Sequence, residues 1–159
     1  MSQIHINAFC TLLTAFLNEL VKTFPEIDDL KAIKTMVAIA IPFKPDYVVE
    51  NYTEIAGRYH VKIFEEESSF FEDLENWKKD PYFQQEYLQS TSDTNDIFQK
   101  LGIFKNIWTD LSVNNKKMIW DFLQKLLVLC TKASNLMRDD IRKSIIEFAK
   151  KRREINSRG

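Results

Sequence analysis

Apolar residues recur at helical spacing along most of this chain, most clearly in the region after Ser112. There, one helical face carries Ile119, Leu123, Leu126, Leu127 and Cys130, and Trp120 and Phe122 widen it. Ser112 precedes this stripe, where a hydroxyl can accept a hydrogen bond from an unpaired backbone N–H and cap the helix. The pattern therefore predicts a long amphipathic helix over about 113–132.

Two further amphipathic helices are predicted before residue 45. The first, over 8–24, has an apolar stripe of Phe9, Leu12, Leu13, Phe16, Leu17, Leu20, Val21 and Phe24. Proline cannot donate a backbone hydrogen bond, so Pro25 is expected to end this helix and to open the next at its first position. The second helix has a face of Ile27, Leu30, Ile33, Met36, Val37 and Ala40, and Pro42 is expected to stop it.

The region from 45 to 75 predicts shorter elements. Pro45 is expected to begin a third helix that Gly57 closes as a left-handed cap. The alternation of apolar and polar residues over 59–63 has a period of two, which predicts a brief extended segment. An acidic stretch over 65–75 surrounds Phe70, Phe71 and Leu74, and a short helix is expected to begin near Ser68 or Ser69.

The remainder of the pattern predicts a loop and two helices. The polar run over 90–95 indicates a surface loop, after which Asp93 or Asp96 is expected to cap a small helix that Gly102 ends. A last helix is predicted from near Ser134 to Arg153. The fold class expected is therefore all-α: one domain over 1–159, an irregular bundle of about six helices, with one short extended segment near 59–63.

Composition agrees with a folded, soluble protein. The chain has 159 residues, of which 45% are hydrophobic and 28% are charged, and this fits one domain with a sizeable core. The chain has only three glycines. So few glycines disfavour a β-sandwich, which needs many tight turns, and they cannot form a glycine-rich phosphate loop. No signal peptide is visible, and the longest apolar run, over 36–43, is far shorter than a membrane span.

Few residues offer catalytic or metal-binding chemistry. His5 and His60 are the only histidines, and neither has a cysteine or carboxylate at metal-ligand spacing, so no metal site or cofactor is expected. Cys10 and Cys130 lie in apolar helical patterns and are expected to be buried free thiols. Cys10 and His60 could formally act together as a nucleophilic pair. An apolar environment raises the pKa of a thiol, however, and the protonated thiol is unreactive. The acidic stretch over 65–75 is expected to be a solvated face.

Two groups of residues are candidates for binding a partner. The basic tail, about 141–159, contains Lys150, Lys151, Arg152 and Arg153. It is interpreted as a nuclear-import patch, a phosphate-binding helix, a contact to an acidic partner, or simply a solvated helix end whose cations complement the helix dipole. The second group consists of aromatic residues that belong either to the core or to an exposed docking patch, namely Trp77, Tyr82, Phe83 and Tyr87.

Two segments resemble a helical protein family of nucleocytoplasmic large DNA viruses, the giant viruses. The run FLNELVKTFPE at 16–26 resembles the opening of that family, and IWTDLSVNNKKMIWDFLQKL at 107–126 resembles its closing signature. The acidic, Phe-containing stretch at 65–74 falls where the family has a similar one. Together the similarity covers about 9–130, and it departs from the family at an insertion over 82–92 and at the basic helix after Cys130.

The resemblance implies a virus-encoded helical protein, carried in the particle, and no family site residues can be transferred to it. The expected function is a non-enzymatic protein–protein interaction protein, a minor structural or scaffolding component of a large DNA virus particle. Its expected partners are other viral proteins of the capsid or core, in the virion or in the interior of the infected cell. The alternatives are a nucleic-acid-associated factor that uses the basic tail and an enzyme with an unrecognised site.

Overall fold

A computed structural model of the chain describes residues 3–76 and 100–158. Within these ranges the structure is all-α, with eight α-helices, two 3₁₀ turns and no strand. The helices are α1 Gln3–Thr23, α2 Asp28–Phe43, α3 Pro45–Arg58, α4 His60–Phe64, α5 Ser69–Asn76, α6 Phe104–Ile107, α7 Val113–Ala133 and α8 Asp139–Arg158. The 3₁₀ turns, Lys100–Ile103 and Trp108–Asp110, flank α6.

The core forms where the predicted apolar stripes of the two longest helices meet. The rings of Phe16 on α1 and Phe122 on α7 stack with their centroids 4.9 Å apart. Helix α7 begins as the sequence predicts, because the hydroxyl of Ser112 accepts a hydrogen bond from the backbone N–H of Asn115 at 3.0 Å. Helix α1 is long and apolar enough to cross a membrane by length and composition alone, as core helices of soluble proteins also can be. Its apolar stripe lies in the core.

A second part of the core consists of aromatic side chains from the middle of the chain. Phe71 on α5 contacts Phe104, Trp108 and Trp120, with centroid separations between 4.9 and 5.6 Å. Phe24, which follows α1, reaches the same cluster through Phe104 at 5.7 Å. These contacts join segments that are distant in sequence, and they explain why Phe70 and Phe71 are almost completely buried although acidic residues surround them in the sequence.

The expected extended segment near 59–63 is wrong. Tyr59 forms a turn, and the residues after it form the short helix α4. His60, Ile63 and Phe64 are buried while Val61 is exposed, which is the spacing of one helical face rather than of a strand. Five residues are too few to distinguish the two-residue repeat of a strand from the roughly 3.6-residue repeat of a helix.

Four expectations about helix ends are also wrong. Gly57 does not cap α3 in a left-handed conformation, because α3 continues to Arg58 and no described glycine has a positive φ. Pro25 does not open the second helix, which begins at Asp28, and Pro42 lies inside that helix one residue before its end. Pro42 lacks a backbone N–H to continue the helical hydrogen bonds, and the helix ends at the next residue, Phe43. Gly102 lies inside a 3₁₀ turn that leads into α6.

The last helix begins at Asp139, later than its apolar pattern suggests, because side chains hold the preceding residues in a different conformation. The carboxylate of Glu50 accepts hydrogen bonds from the Ser134 hydroxyl and from the backbone N–H of Asn135. The Ser134 hydroxyl oxygen in turn accepts from the backbone N–H of Met137. The guanidinium of Arg142 donates to the carbonyls of Thr131, Ser134 and Met137. This network fixes the turn between α7 and α8.

Candidate functional site

Helices α7 and α8 run antiparallel and leave a groove between them. Near their connecting turn, Arg142 contacts the carbonyl of Thr131, whereas farther along, Arg152 reaches Asp121. The groove has a volume of about 960 Å³, and Leu12 of α1 also lines it. Its floor consists of the apolar lining residues, namely Leu12, Phe64, Val128, Leu129, Ile145, Ile146 and Ala149.

The rim of the groove is basic. Five cationic side chains line it, three on α7 and two on α8, namely Lys117, Lys125, Lys132, Arg152 and Arg153. Asp121 is the one acidic residue among the lining residues. The lysines lie on one stripe of α7, because positions seven or eight residues apart face the same side of a helix. The groove therefore combines an apolar floor with a positive rim.

One of these cations has acidic partners in the same chain. The guanidinium of Arg152 lies 3.4 Å from a carboxylate oxygen of Asp121 and 3.7 Å from one of Glu66. Glu66 has a φ of 57°, a left-handed conformation that is unfavourable for a residue with a Cβ, and its carboxylate reaches α8 from the turn after α4. Arg152 thus joins α8 to α7 and to this turn, and its charge is largely offset.

The basic tail does not form one continuous patch. Arg152 and Arg153 line the groove, whereas Lys151 lies with Lys143 and Ser144 in a separate shallow depression on α8. Lys150 and Lys151 are exposed. Successive residues of a helix are rotated by about 100°, so residues that are adjacent in sequence can face different sides. Lys151 therefore faces away from the groove that Arg152 and Arg153 line.

The aromatic candidates Trp77, Tyr82, Phe83 and Tyr87 lie outside the described residues. In the acidic stretch, Glu65, Glu66 and Glu67 are exposed, as expected for a solvated face. Asp73 lies farther along the stretch and binds the ammonium of Lys62 at 2.6 Å. Among the described residues, no group of three or more His, Cys, Asp or Glu side chains is arranged to hold a metal ion.

Both thiols are buried and free, as predicted. Burial raises the pKa of Cys10. Burial also raises the pKa of Cys130 to about 12, and nearby Glu50 adds to this while a hydrogen bond with Thr53 opposes it. Both ring nitrogens of His60 have partners other than Cys10, so the formal Cys10–His60 pair is not formed. A protonated thiol is a poor nucleophile, and neither cysteine is set up for catalysis.

Sequence reasoning missed a pairing of His60 with Ser144. Nδ1 of the imidazole lies 2.7 Å from the carbonyl of Gly57, and Nε2 lies 2.8 Å from the hydroxyl of Ser144. A carbonyl can only accept, so Nδ1 carries a proton, and in the neutral ring Nε2 then accepts from the serine. Serine proteases use the same pairing, but Ser144 lies inside α8, where helical hydrogen bonds already occupy the backbone N–H groups. The residues lie 84 positions apart, and no local signal links them.

Comparison with protein-family models, with curated proteins and with solved structures found no match to this chain. A proposal for function therefore depends on the residues of the chain itself. The groove between α7 and α8 is the arrangement with the most specific chemistry among the described residues, because it brings an exposed apolar surface and several cations together.

Proposed function

We propose that this chain is a non-enzymatic protein–protein interaction protein and that the groove between α7 and α8 is its docking surface. The observation that carries the proposal is the floor of the groove, where Ile146 remains 38% exposed between basic side chains. Contiguous apolar surface with a polar rim is typical of sites that bind another protein. The rim cations give such a site specificity, because they favour partners with complementary charge.

The setting proposed for this interaction is the particle of a large DNA virus, in which the chain is a minor structural or scaffolding component. The support is the resemblance of segments 16–26 and 107–126 to a helical family of those viruses. Both segments contribute to the core, through Phe16 and Phe122 among others, so they are compatible with a shared bundle. The partners proposed are other viral proteins of the capsid or core.

A photo-crosslinking experiment in purified virus particles tests both parts of the proposal. A photoreactive amino acid replaces Lys125 on the groove rim in one variant, and exposed Lys34 on α2, outside the groove, in the control. We expect the chain in the particle and one defined adduct from position 125 but not from position 34. Absence of the chain from purified particles would contradict the proposed structural role. Equal adducts from both positions would show that the groove is not the docking surface.

Association with nucleic acid is the second candidate function, because Lys150 and Lys151 are exposed on α8. Binding through phosphate contacts weakens steeply as the salt concentration rises. Replacement of both lysines by glutamate should then abolish retention on DNA or RNA, whereas the same replacement of Lys31 and Lys34, exposed on α2, should change it little. Equal retention by both double variants would reject this candidate.

A further inference from the structure

The groove between α7 and α8 has the length of a short helix. Its lining residues on α7 extend from Lys117 to Lys132. At 1.5 Å per residue, these fifteen steps span roughly 22 Å, which corresponds to about four helical turns of a partner. Two packed helices with an apolar furrow between them are a frequent receptor for a third helix.

The walls of the groove favour a helix over an extended peptide. Both walls, α7 and α8, use their interior backbone N–H and C=O groups in their own hydrogen bonds. An extended peptide on the apolar floor would find no backbone partners there and would leave its own polar groups unpaired. A helix satisfies its backbone internally and can present side chains to Val128, Leu129 and Ile146.

The charge of the rim favours an acidic occupant. Among the described residues, Lys117, Lys125, Lys132 and Arg153 form no ion pair, whereas Arg152 pairs with Asp121 and Glu66. These four cations lie on both sides of the floor. Carboxylates that flank the apolar stripe of a bound helix would form ion pairs with these cations. The attraction would also make association faster at low salt.

From these three observations we infer that the groove binds an acidic amphipathic helix of a partner protein, about four turns long. Its apolar side chains would occupy the accessible part of the floor, formed by Leu12, Val128, Leu129, Ile146 and Ala149. Its glutamate or aspartate side chains would meet the lysines of α7 and Arg153 of α8. The inference rests on the proposed function and names the chemistry of the partner.

A designed peptide tests this chemistry with the full chain. The probe is an ~18-residue helical peptide with leucines at i, i+3, i+4 and i+7 spacing and glutamates beside them, followed by fluorescence anisotropy. Two controls accompany it, a scrambled peptide of the same composition and a peptide with lysines in place of the glutamates. We expect binding of the acidic amphipathic peptide alone, weakening as salt is raised. Equal binding of the scrambled peptide would overturn the inference.

Charge reversal separates specific docking from general effects of net charge. The double variant Lys125→Glu with Arg153→Glu should weaken binding of the acidic peptide at least tenfold and should gain binding of the lysine peptide. The matched double variant Lys31→Glu with Lys34→Glu has the same net charge but changes exposed residues of α2, and it should bind as the wild type does. An identical response of the two double variants would contradict the inference.

The floor provides a second comparison. Ile146→Gln should weaken binding about tenfold, whereas Ile39→Gln on α2, where the side chain is 61% exposed outside the groove, should have no effect. Oleate tests for a fatty-acid ligand and single-stranded DNA for a nucleic-acid ligand. If either binds tightly while the peptide does not, the inference is overturned in favour of that ligand. Self-association abolished by Lys125→Glu would overturn it in favour of a second copy of the chain.

Failure of the peptide can be distinguished from failure of the proposed function. If no acidic peptide binds but the crosslink from position 125 persists in particles, the groove docks a protein of different chemistry, and only the acidic helix is rejected. If position 125 gives no crosslink and the peptide does not bind, the groove is not a docking surface.

Discussion

The phenol of Tyr52 on α3 donates a hydrogen bond to the backbone carbonyl of Leu123 in the middle of α7, at 2.8 Å and out of contact with solvent. This bond joins two helices whose residues lie 71 positions apart. Tyr52→Phe keeps the ring against Phe9 and removes only the hydroxyl. The carbonyl of Leu123 retains its helical partner, so we expect a loss of about 1 kcal/mol in the free energy of unfolding.

Urea denaturation followed by circular dichroism measures this change. Tyr52→Leu, which also removes the aromatic contact with Phe9, should cost more than Tyr52→Phe. A Tyr52→Phe variant as stable as the wild type would show that the bond makes no net contribution.

Leu123 is itself a test of the core, because its side chain is 1% exposed. Leu123→Ala removes buried methyl groups and leaves a cavity, and it should lower the free energy of unfolding by about 2–5 kcal/mol. The matched control is Leu136→Ala, since Leu136 is 75% exposed in the turn before α8 and should change stability by less than about 0.5 kcal/mol. Similar thermal shifts for the two variants would mean that this face of α7 is not in the core.

Ser112 caps α7 through a hydroxyl that accepts from the backbone N–H of Asn115. Ser112→Ala leaves that donor without its partner and should cost about 1 kcal/mol, whereas Ser112→Asp supplies another good cap and should cost little. Because Ser112 is exposed, packing does not contribute to the difference. Thermal unfolding of the three proteins measures it, and an alanine variant as stable as the aspartate variant would contradict the capping role.

Cys130 predicts a dependence of stability on alkaline pH. Burial raises its pKa to about 12 in the folded chain, so the folded state keeps a proton that the unfolded state releases near its ordinary thiol pKa. The stability contribution is fully present below the unfolded pKa and falls as pH rises toward the folded value. Between pH 8 and 10 the stability advantage of the wild type over Cys130→Ala should shrink by about 1.5 kcal/mol.

Urea unfolding of both proteins at several pH values measures this difference. Cys10, whose pKa burial also raises, is present in both proteins and cancels in the comparison. The pKa of Tyr52 is raised well above its ordinary value by burial and then by Cys130, so the phenol stays protonated in the folded chain between pH 8 and 10. A difference that stays constant over this pH range would show that Cys130 ionises freely in the folded chain.

The helical elements could be predicted from the sequence because their apolar stripes are long. Seven buried residues of α1 and nine of α7 repeat at helical spacing, and Ser112 marks the start of α7 with the chemistry of a cap. The segment 59–63 could not be assigned in this way, because one turn of helix and a short strand give similar patterns. Its helical state depends on the burial of His60, Ile63 and Phe64 against other helices.

The candidate site was only partly predictable. The sequence marks Arg152 and Arg153 as basic, but the groove also needs Leu12 from α1 and three lysines from α7. No local pattern joins these residues, since the packing of three helices brings them together. The offset charge of Arg152 depends likewise on Asp121 and on Glu66, which the fold supplies from two other segments.

The pair of Ser144 and His60 gives the sharpest test between an interaction protein and an enzyme. The imidazole orients toward the serine as a general base would, at 2.8 Å. Hydrolysis also needs donors for a developing oxyanion, and the backbone N–H groups around Ser144 are used within α8. We therefore expect no hydrolysis of p-nitrophenyl acetate that depends on Ser144, and no labelling of Ser144 by a fluorophosphonate.

The same pair should instead contribute to stability. Ser144→Ala leaves Nε2 of the buried His60 without its hydrogen-bond donor, and it should lower the free energy of unfolding by about 1–2 kcal/mol. The control is Thr11→Ala, which removes an exposed hydroxyl from α1 and should change stability by less than about 0.5 kcal/mol. Esterase turnover that disappears in Ser144→Ala while the fold persists would contradict the interaction role, because the serine would then be acting as a nucleophile activated by His60.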